Sequence, residues 1–186
     1  VGFSQSLDLV LAAARSYAGD PSVAFVINGG GSARAALEAD AAGMANVHFV
    51  DFQPRERLAE VLAAGDVHLG PLRRGLARSS VPSKTYSILA AGRPYIAAVE
   101  DTCEVAALTR ANDCGLVVDP GDAGQLADAV MRLYRDRALT SRCGQHARRV
   151  GLSFDRRLQV ARYIGVFRAL HQPVNTALHP SAERRV

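Results

Sequence analysis

The chain has 186 residues, a net charge of +4, 48% hydrophobic and 22% charged residues. That is enough for one domain with a real core, and ordinary for a globular protein. No apolar run approaches the roughly 18 residues a membrane span needs, and three widely spaced cysteines (Cys103, Cys114, Cys143) make neither a metal site nor a disulfide framework. They fit a reducing cytoplasm.

The chain opens Val1-Gly2-Phe3, without methionine or a basic leader, and so reads as a piece of a longer protein. Leu7, Val10, Leu11, Ala14 and Tyr17 predict a helix over 6–18, stopped by Gly19-Asp20-Pro21. A strand over 23–28 runs into Gly29-Gly30-Gly31, and Ser32 opens a helix to Ala42. A strand over 47–50, a helix over 54–64 and a strand over 67–70 follow. After the loop 71–81 come a helix from Lys84 and a strand over 95–99. Glu104 to Ala111 is helical, 116–118 extended, and Asp119-Pro120-Gly121-Asp122 turns into a helix carrying Leu126, Val130 and Leu133. Two more helices cover 139–150 and 155–170. Residues 171–186 lack periodicity and are expected to form a disordered tail.

Short apolar strands alternating with helices predict an α/β fold. It should be a doubly wound, mostly parallel, Rossmann-like sheet with the five strands side by side. Ligands in such sheets sit at the carboxyl ends of the strands. Three features fall there: the glycine loop around Gly30, Phe52-Gln53-Pro54, and the loop 71–84. The triple glycine lacks the spacing of a dinucleotide fingerprint and reads as a tight turn.

The stretch from Ser79 to Pro94 carries the only lysine among 22 Lys and Arg residues. Ser79, Ser80, Pro82 and Ser83 precede Lys84, and Gly92 ends the apolar pattern. This is the signature of a helix start, with Ser80 and Ser83 as caps. Helix N-termini expose unpaired N–H groups and partial positive charge, so an ammonium there makes an anion site suited to phosphate. The alternative is a capped helix with a solvated lysine.

In order along residues 2–170, the residues resemble the C-terminal, donor-binding half of a family 4 type GT-B glycosyltransferase, of the bacterial exopolysaccharide, O-antigen and colanic-acid-like subgroup. Gly2 to Leu11 resembles its opening loop and first helix, with the leading strand missing. Val26 to Gly31 resembles its "vGdG" turn. Asn46 to Val50, the Pro54 helix and Ala64-Gly65-Asp66-Val67 resemble "nV.fl…l..l...aDv". Val81-Pro82-Ser83-Lys84 and Ile88 to Pro94 resemble "vPsK.yEiLAaGrP", and Gly115 to Asp122 resembles "GlvvpPgD".

The resemblance implies one half of an enzyme that transfers a sugar from a nucleotide diphosphate sugar, UDP-sugar favoured, with retention and with neither metal nor cofactor. The acceptor is a lipid-linked or glycan molecule held by an N-terminal domain absent from this chain, so the isolated chain should not turn over. Catalytic residues are unassigned. The implied donor set is Gly30, Phe52, Gln53, Ser79, Ser80, Pro82, Ser83, Lys84 and Ser87, with the base near Phe52 and Gln53 and the diphosphate at Ser83 and Lys84. Arg73, Arg74 and Arg78 are expected as mobile helpers. Ser87 stands where the family's ribose-binding glutamate belongs, and Ser79, eight residues earlier, is again no carboxylate. The same fold serving as a non-catalytic sugar-nucleotide-binding or scaffold domain is therefore the alternative. An epimerase of this shape fits less, because its carboxylate and histidine pattern is missing.

The expected location is cytoplasmic, at the inner face of the cell membrane, with peripheral membrane contact and no nucleic-acid partner. The arginine pairs read as solvated helix faces. His48 and His68 read as core or rim histidines. Glu104 either favours its helix dipole or reaches the donor sugar. The helix over 155–170 resembles the segment that returns to the first domain, with Leu158, Val160, Ala161, Ile164, Phe167 and Leu170 partly exposed.

Overall fold

The computed structural model describes residues 1–80 and 82–171, which divide into two compact units after Ser153. In the first unit, α1 (Leu7–Arg15) is followed by β1 (Phe25–Asn28), α2 (Arg34–Asp40) and β2 (Val47–Val50). A 3-10 turn (Arg55–Arg57) leads into α3 (Leu58–Ala64) and β3 (His68–Pro71). Then come α4 (Lys84–Ala91), β4 (Tyr95–Ala98), α5 (Glu104–Asn112), β5 (Gly115–Val118), α6 (Ala123–Arg135) and α7 (Arg137–Ser153). Elements lie where the sequence pattern puts them, with boundaries moved by up to three residues and the start of the 54–64 helix taken by the 3-10 turn.

Every strand pair is parallel. Phe25 pairs with Val47 in the β1–β2 ladder, His68 with Tyr95 between β3 and β4, and Tyr95 with Gly115 between β4 and β5. The five strands do not form one ladder, however. They form a two-stranded β1–β2 sheet and a three-stranded β3–β4–β5 sheet, which corrects the expectation that all five lie side by side. Each strand has only four residues, so β1 and β3 hold their places through the shared core rather than through each other. Phe25, Ile27, Val47, Ile96, Ala98 and Val118 pack in one apolar cluster with Leu9, Val10 and Leu11 of α1 and Leu126 and Leu133 of α6. On the other face, Tyr95, Ala97 and Val99 meet Ile88 and Leu89 of α4, Val105 and Ala106 of α5, and Ala147 of α7. β4 is thus buried on both faces, which is why Tyr95-Ile96-Ala97-Ala98 is apolar without alternation.

The three cysteines are free and buried, and burial pushes the Cys114 and Cys143 thiols up. They behave as small core residues. The Tyr95 hydroxyl is bonded to Thr109 within the core.

His68 is half-buried, and its Nε2 is 2.8 Å from the Leu62 carbonyl. Burial, then the Arg93 charge, lowers its pKa below the ordinary 6.5. A depressed histidine contributes stability that is full above its unfolded pKa and lost as pH falls below it, because the unfolded chain takes the proton first. Denaturant titrations should therefore show stability dropping as pH goes from 7 to 5, and His68→Gln should flatten part of that slope. An unchanged slope in the variant would remove His68 as the cause.

The second unit is described by α8 (Arg156–Leu170), capped by Asp155, whose carboxylate accepts from the Arg157 N–H at 2.9 Å. Leu158, Val160, Tyr163, Ile164, Val166, Phe167 and Leu170 are exposed on it. His171 ends this helix. The rest of the expected tail, 172–186, lies outside the described residues.

Candidate functional site at the carboxyl edge of the strands

Parallel strands deliver all their exit loops to one edge. Those loops are Gly29–Gly31 after β1, Asp51–Pro54 after β2, 72–80 after β3, Val99–Cys103 after β4 and Asp119–Asp122 after β5. Gly29 and Gly31 have φ of 106° and 147°, so the turn takes a path that side-chain-bearing residues avoid. A Cβ at Gly29 would lie 3.8 Å from the Phe52 ring. Phe52, 80% exposed, therefore stands against the glycine loop with a bare ring face. Gln53 beside it bonds the Asp51 carbonyl through Nε2 and accepts from Arg57 at 3.2 Å.

The Lys84 end of α4 reaches the same edge. The Val1 ammonium donates to the Gly30 carbonyl at 2.7 Å, and it lies near enough to Lys84 for like-charge repulsion, after burial, to lower its pKa. α4 buries Thr85, Ile88 and Leu89, which leaves Lys84 and Ser87 exposed, three residues apart and so neighbours on the outer face. Gly92 ends the helix at φ 70°, as its position in the sequence implies.

Ser83 stands at the N-cap but with helical dihedrals (φ −58°, ψ −25°) and no side-chain capping bond. This corrects the expectation that it caps the helix: a capping hydroxyl needs a non-helical residue to reach back to the second or third N–H. Its hydroxyl is not consumed by the cap. The Pro82 carbonyl instead accepts from Thr85 N–H at 2.9 Å. Ser79 and Ser80 close a turn, both donating backbone N–H to the Leu76 carbonyl. Ser80 caps no helix, and among the described residues neither serine is hydrogen-bonded to Lys84.

Two of the three arginines expected as mobile helpers are tied down. Arg73 Nε donates to the Phe3 carbonyl at 2.9 Å, and its backbone N–H donates to the Ser4 carbonyl. Arg74 meets Asp119 at 2.5 Å. Their side chains answer carbonyls and a carboxylate already present at the edge. Arg78 is exposed.

The loop 72–80 is thereby clasped from both sides, and the Glu100 carboxylate accepts the Gly75 N–H at 2.8 Å. The Gly121 N–H and then Arg74 hold the Asp119 carboxyl below its usual range. Arg34 bridges the first two loops, reaching Asp51 at 2.9 Å and the Gly29 carbonyl at 3.2 Å. Arg34, Glu100 and Asp119 were not legible as site-building residues, since their partners are far away in sequence. Glu104 is exposed in the first turn of α5 and near Tyr86, whose hydroxyl is pushed up by burial and then by that carboxylate. Among the described residues no group of His, Cys, Asp and Glu is placed to hold a metal ion.

The edge therefore offers an ammonium, free hydroxyls, a glycine turn and an exposed ring, on loops fixed by charge-assisted bonds. This arrangement can hold a polyanion with an aromatic end group.

Residues 3–136 match the model of the family described as glycosyl transferases group 1. WcaI of Escherichia coli (strain K12), a colanic acid biosynthesis glycosyl transferase by name, is 35% identical over 109 residues, covering 58% of this chain and 27% of its own length. Among solved structures, Anabaena Alr3699/HepE in complex with UDP-glucose superposes with a TM-score of 0.72 at 16% identity, over 91% of this chain and 46% of that one. The catalytic domain of cholesterol-alpha-glucosyltransferase from Helicobacter pylori gives 0.69 at 11% identity, over 82% and 92%. The chain spans about a quarter of the curated relative and about half of the first of these structures. The fold is that of one half of a GT-B glycosyltransferase, and the chain belongs to the group 1 glycosyl transferase family.

Proposed function

We propose that this chain is the donor-binding half of a glycosyltransferase, taking a nucleotide diphosphate sugar at the carboxyl edge of its strands. The observation that carries the reading is Lys84, the single lysine, exposed at the start of α4 directly after the exit loop of β3. The diphosphate lies on Lys84, Ser83 and the first turn of α4, near Gly30 and Pro82. The base lies against Phe52 and Gln53, and Ser79, Ser80 and Ser87 face the ribose and phosphates. UDP-sugar is the preferred donor, in keeping with the UDP-glucose held by Alr3699/HepE.

In the transition state the leaving diphosphate gains negative charge. A fixed ammonium and oriented N–H groups stabilise it with little reorganisation. The sugar passes with retention to a lipid-linked or glycan acceptor held by a second domain, at the inner face of the cell membrane. The 186-residue chain alone binds donor but does not turn over. Calorimetry with UDP and GDP at moderate salt tests this: UDP should bind, and more tightly than GDP. No binding of either would sink the reading.

A non-catalytic binding or scaffold role is the second reading, favoured by Ser79 and Ser87, where the resemblance expects carboxylates. Ser87→Glu separates the two. If the crevice is shaped for ribose, the new carboxylate accepts from two hydroxyls and tightens UDP by roughly 1–2 kcal/mol, as charge-assisted bonds do. No gain, or a loss, in the same titration favours the scaffold.

A further inference from the structure

A cavity of about 650 Å³ lies at the opposite edge, where β3 and β4 begin. Asp66, before β3, and Arg93, before β4, line one side of it; Thr140, Ser141, Gln145 and Arg148 of α7 line the other. Its volume falls in the range of small-molecule sites, about 300–1,000 Å³. Gly92 and Gly144 also line it, where α4 and α7 meet. α4 runs eight residues from Lys84 to Ala91, about 12 Å, so the cavity sits at the end of that helix remote from Lys84.

The polar groups around the cavity are only partly satisfied. Arg93 Nη2 donates to the Ala63 carbonyl at 2.5 Å, and Arg148 Nη1 donates to the Ala90 carbonyl. A guanidinium has five N–H donors, so each arginine keeps donors beyond its one carbonyl. Among the described residues neither arginine is ion-paired, and Asp66 on the same cavity is unpaired too. Thr140 gives its hydroxyl proton to a backbone carbonyl, Leu133 at 2.5 Å. Ser141 Oγ accepts from Gln145 Nε2 at 3.4 Å, which leaves the Ser141 hydroxyl proton and the Gln145 side-chain carbonyl to a ligand.

Two guanidinium groups, a hydroxyl donor and one carboxylate thus share a cavity without neutralising one another. Guanidinium groups hold phosphate through paired, charge-assisted N–H bonds. The carboxylate repels that anion but accepts from hydroxyls. A bare phosphate therefore uses only part of the cavity, and a neutral polyol only the other part. We propose that this cavity binds a small, soluble phosphate monoester carrying hydroxyl groups. The phosphate lies on Arg93 and Arg148, supported by Ser141, and the hydroxyls lie on Asp66 and the Gln145 carbonyl. The site is apart from the nucleotide edge and does not rest on the donor reading.

The test titrates the 186-residue chain with glycerol 3-phosphate, inorganic phosphate and glycerol, following backbone amides by NMR. Gly92, Gly144 and Arg148 should shift with glycerol 3-phosphate and saturate at a concentration several-fold lower than with inorganic phosphate, as one or two added hydrogen bonds imply. Glycerol alone should move none of them. Arg148→Gln should weaken the monoester by about tenfold or more, the loss of a bond to a charged group. Asp66→Ala, at an exposed position, should erase the advantage of the monoester over inorganic phosphate. Lys84→Ala should change neither. Three results would overturn the proposal: no shift of these amides at tens of millimolar monoester, roughly a hundred times a good small-molecule affinity; shifts that survive Arg148→Gln unchanged; or shifts lost in Lys84→Ala, which would place the anion at the other end of α4. Binding to vesicles of acidic phospholipid that Arg148→Gln abolishes, with no response to the soluble monoester, would also overturn it, since the occupant would then be a lipid headgroup.

Discussion

Gly151→Val should destabilise the chain by about 3 kcal/mol, the upper end for forcing atoms into a packed site. Gly151 sits inside α7, where glycine costs about 1 kcal/mol relative to alanine. The structure shows what offsets that cost. A Cβ at Gly151 would stand 2.5 Å from the Ala90 nitrogen and the Leu89 carbonyl carbon, and one at Gly144 would stand 2.8 Å from the Gly92 oxygen. These are backbone atoms, so no rotamer change relieves the overlap, and α4 must move off α7. Because α4 carries Lys84 at its other end, the same change should weaken UDP binding. Gly165 of α8 has nothing within 4 Å of its Cβ position, so Gly165→Ala should cost nothing. Urea titrations of both variants decide it; a Gly151→Val chain as stable as the parent would show that α4 and α7 do not need their close approach.

The sequence carries the elements because each has a local cause: Gly92 stops α4 in the left-handed conformation, and the apolar run Tyr95 to Val99 reads as a strand buried on both faces. It also carries the position of the loops that hold Gly30, Phe52 and Lys84, since each follows the carboxyl end of a parallel strand. Long-range electrostatics was not legible. Arg73 and Arg74 look like free cations until the fold brings Phe3, Ser4 and Asp119 to them. Nothing around Glu100 announces that it receives the Gly75 N–H. Ser83 looked like a cap because its residue type fits; its helical dihedrals, invisible in the sequence, decide otherwise. The split between β1 and β3 was missed for another reason: alternation of strand and helix gives strand count and direction, but not which edges meet.

Lys84→Ala should weaken UDP binding by about 1.5–3 kcal/mol, the range for a hydrogen bond to a charged group, or roughly ten- to a hundredfold and a little more. Lys84 is exposed, so part of its effect is screened Coulomb attraction, with a range of about 8–10 Å in ordinary buffers. Parent affinity should therefore fall with added salt, and the alanine variant should show a shallower slope. Lys84→Arg refines the reading. A chain that uses arginine for every other cation would tolerate that change if only charge mattered. A compact ammonium at a helix start, set among serine hydroxyls, is a point donor, whereas a guanidinium is a wider planar fork. The arginine variant should keep the salt dependence of the parent and recover only part of its affinity. Equal affinity in parent and alanine variant, at low salt and high, would take Lys84 out of the site and leave α4 a helix with a solvated first turn.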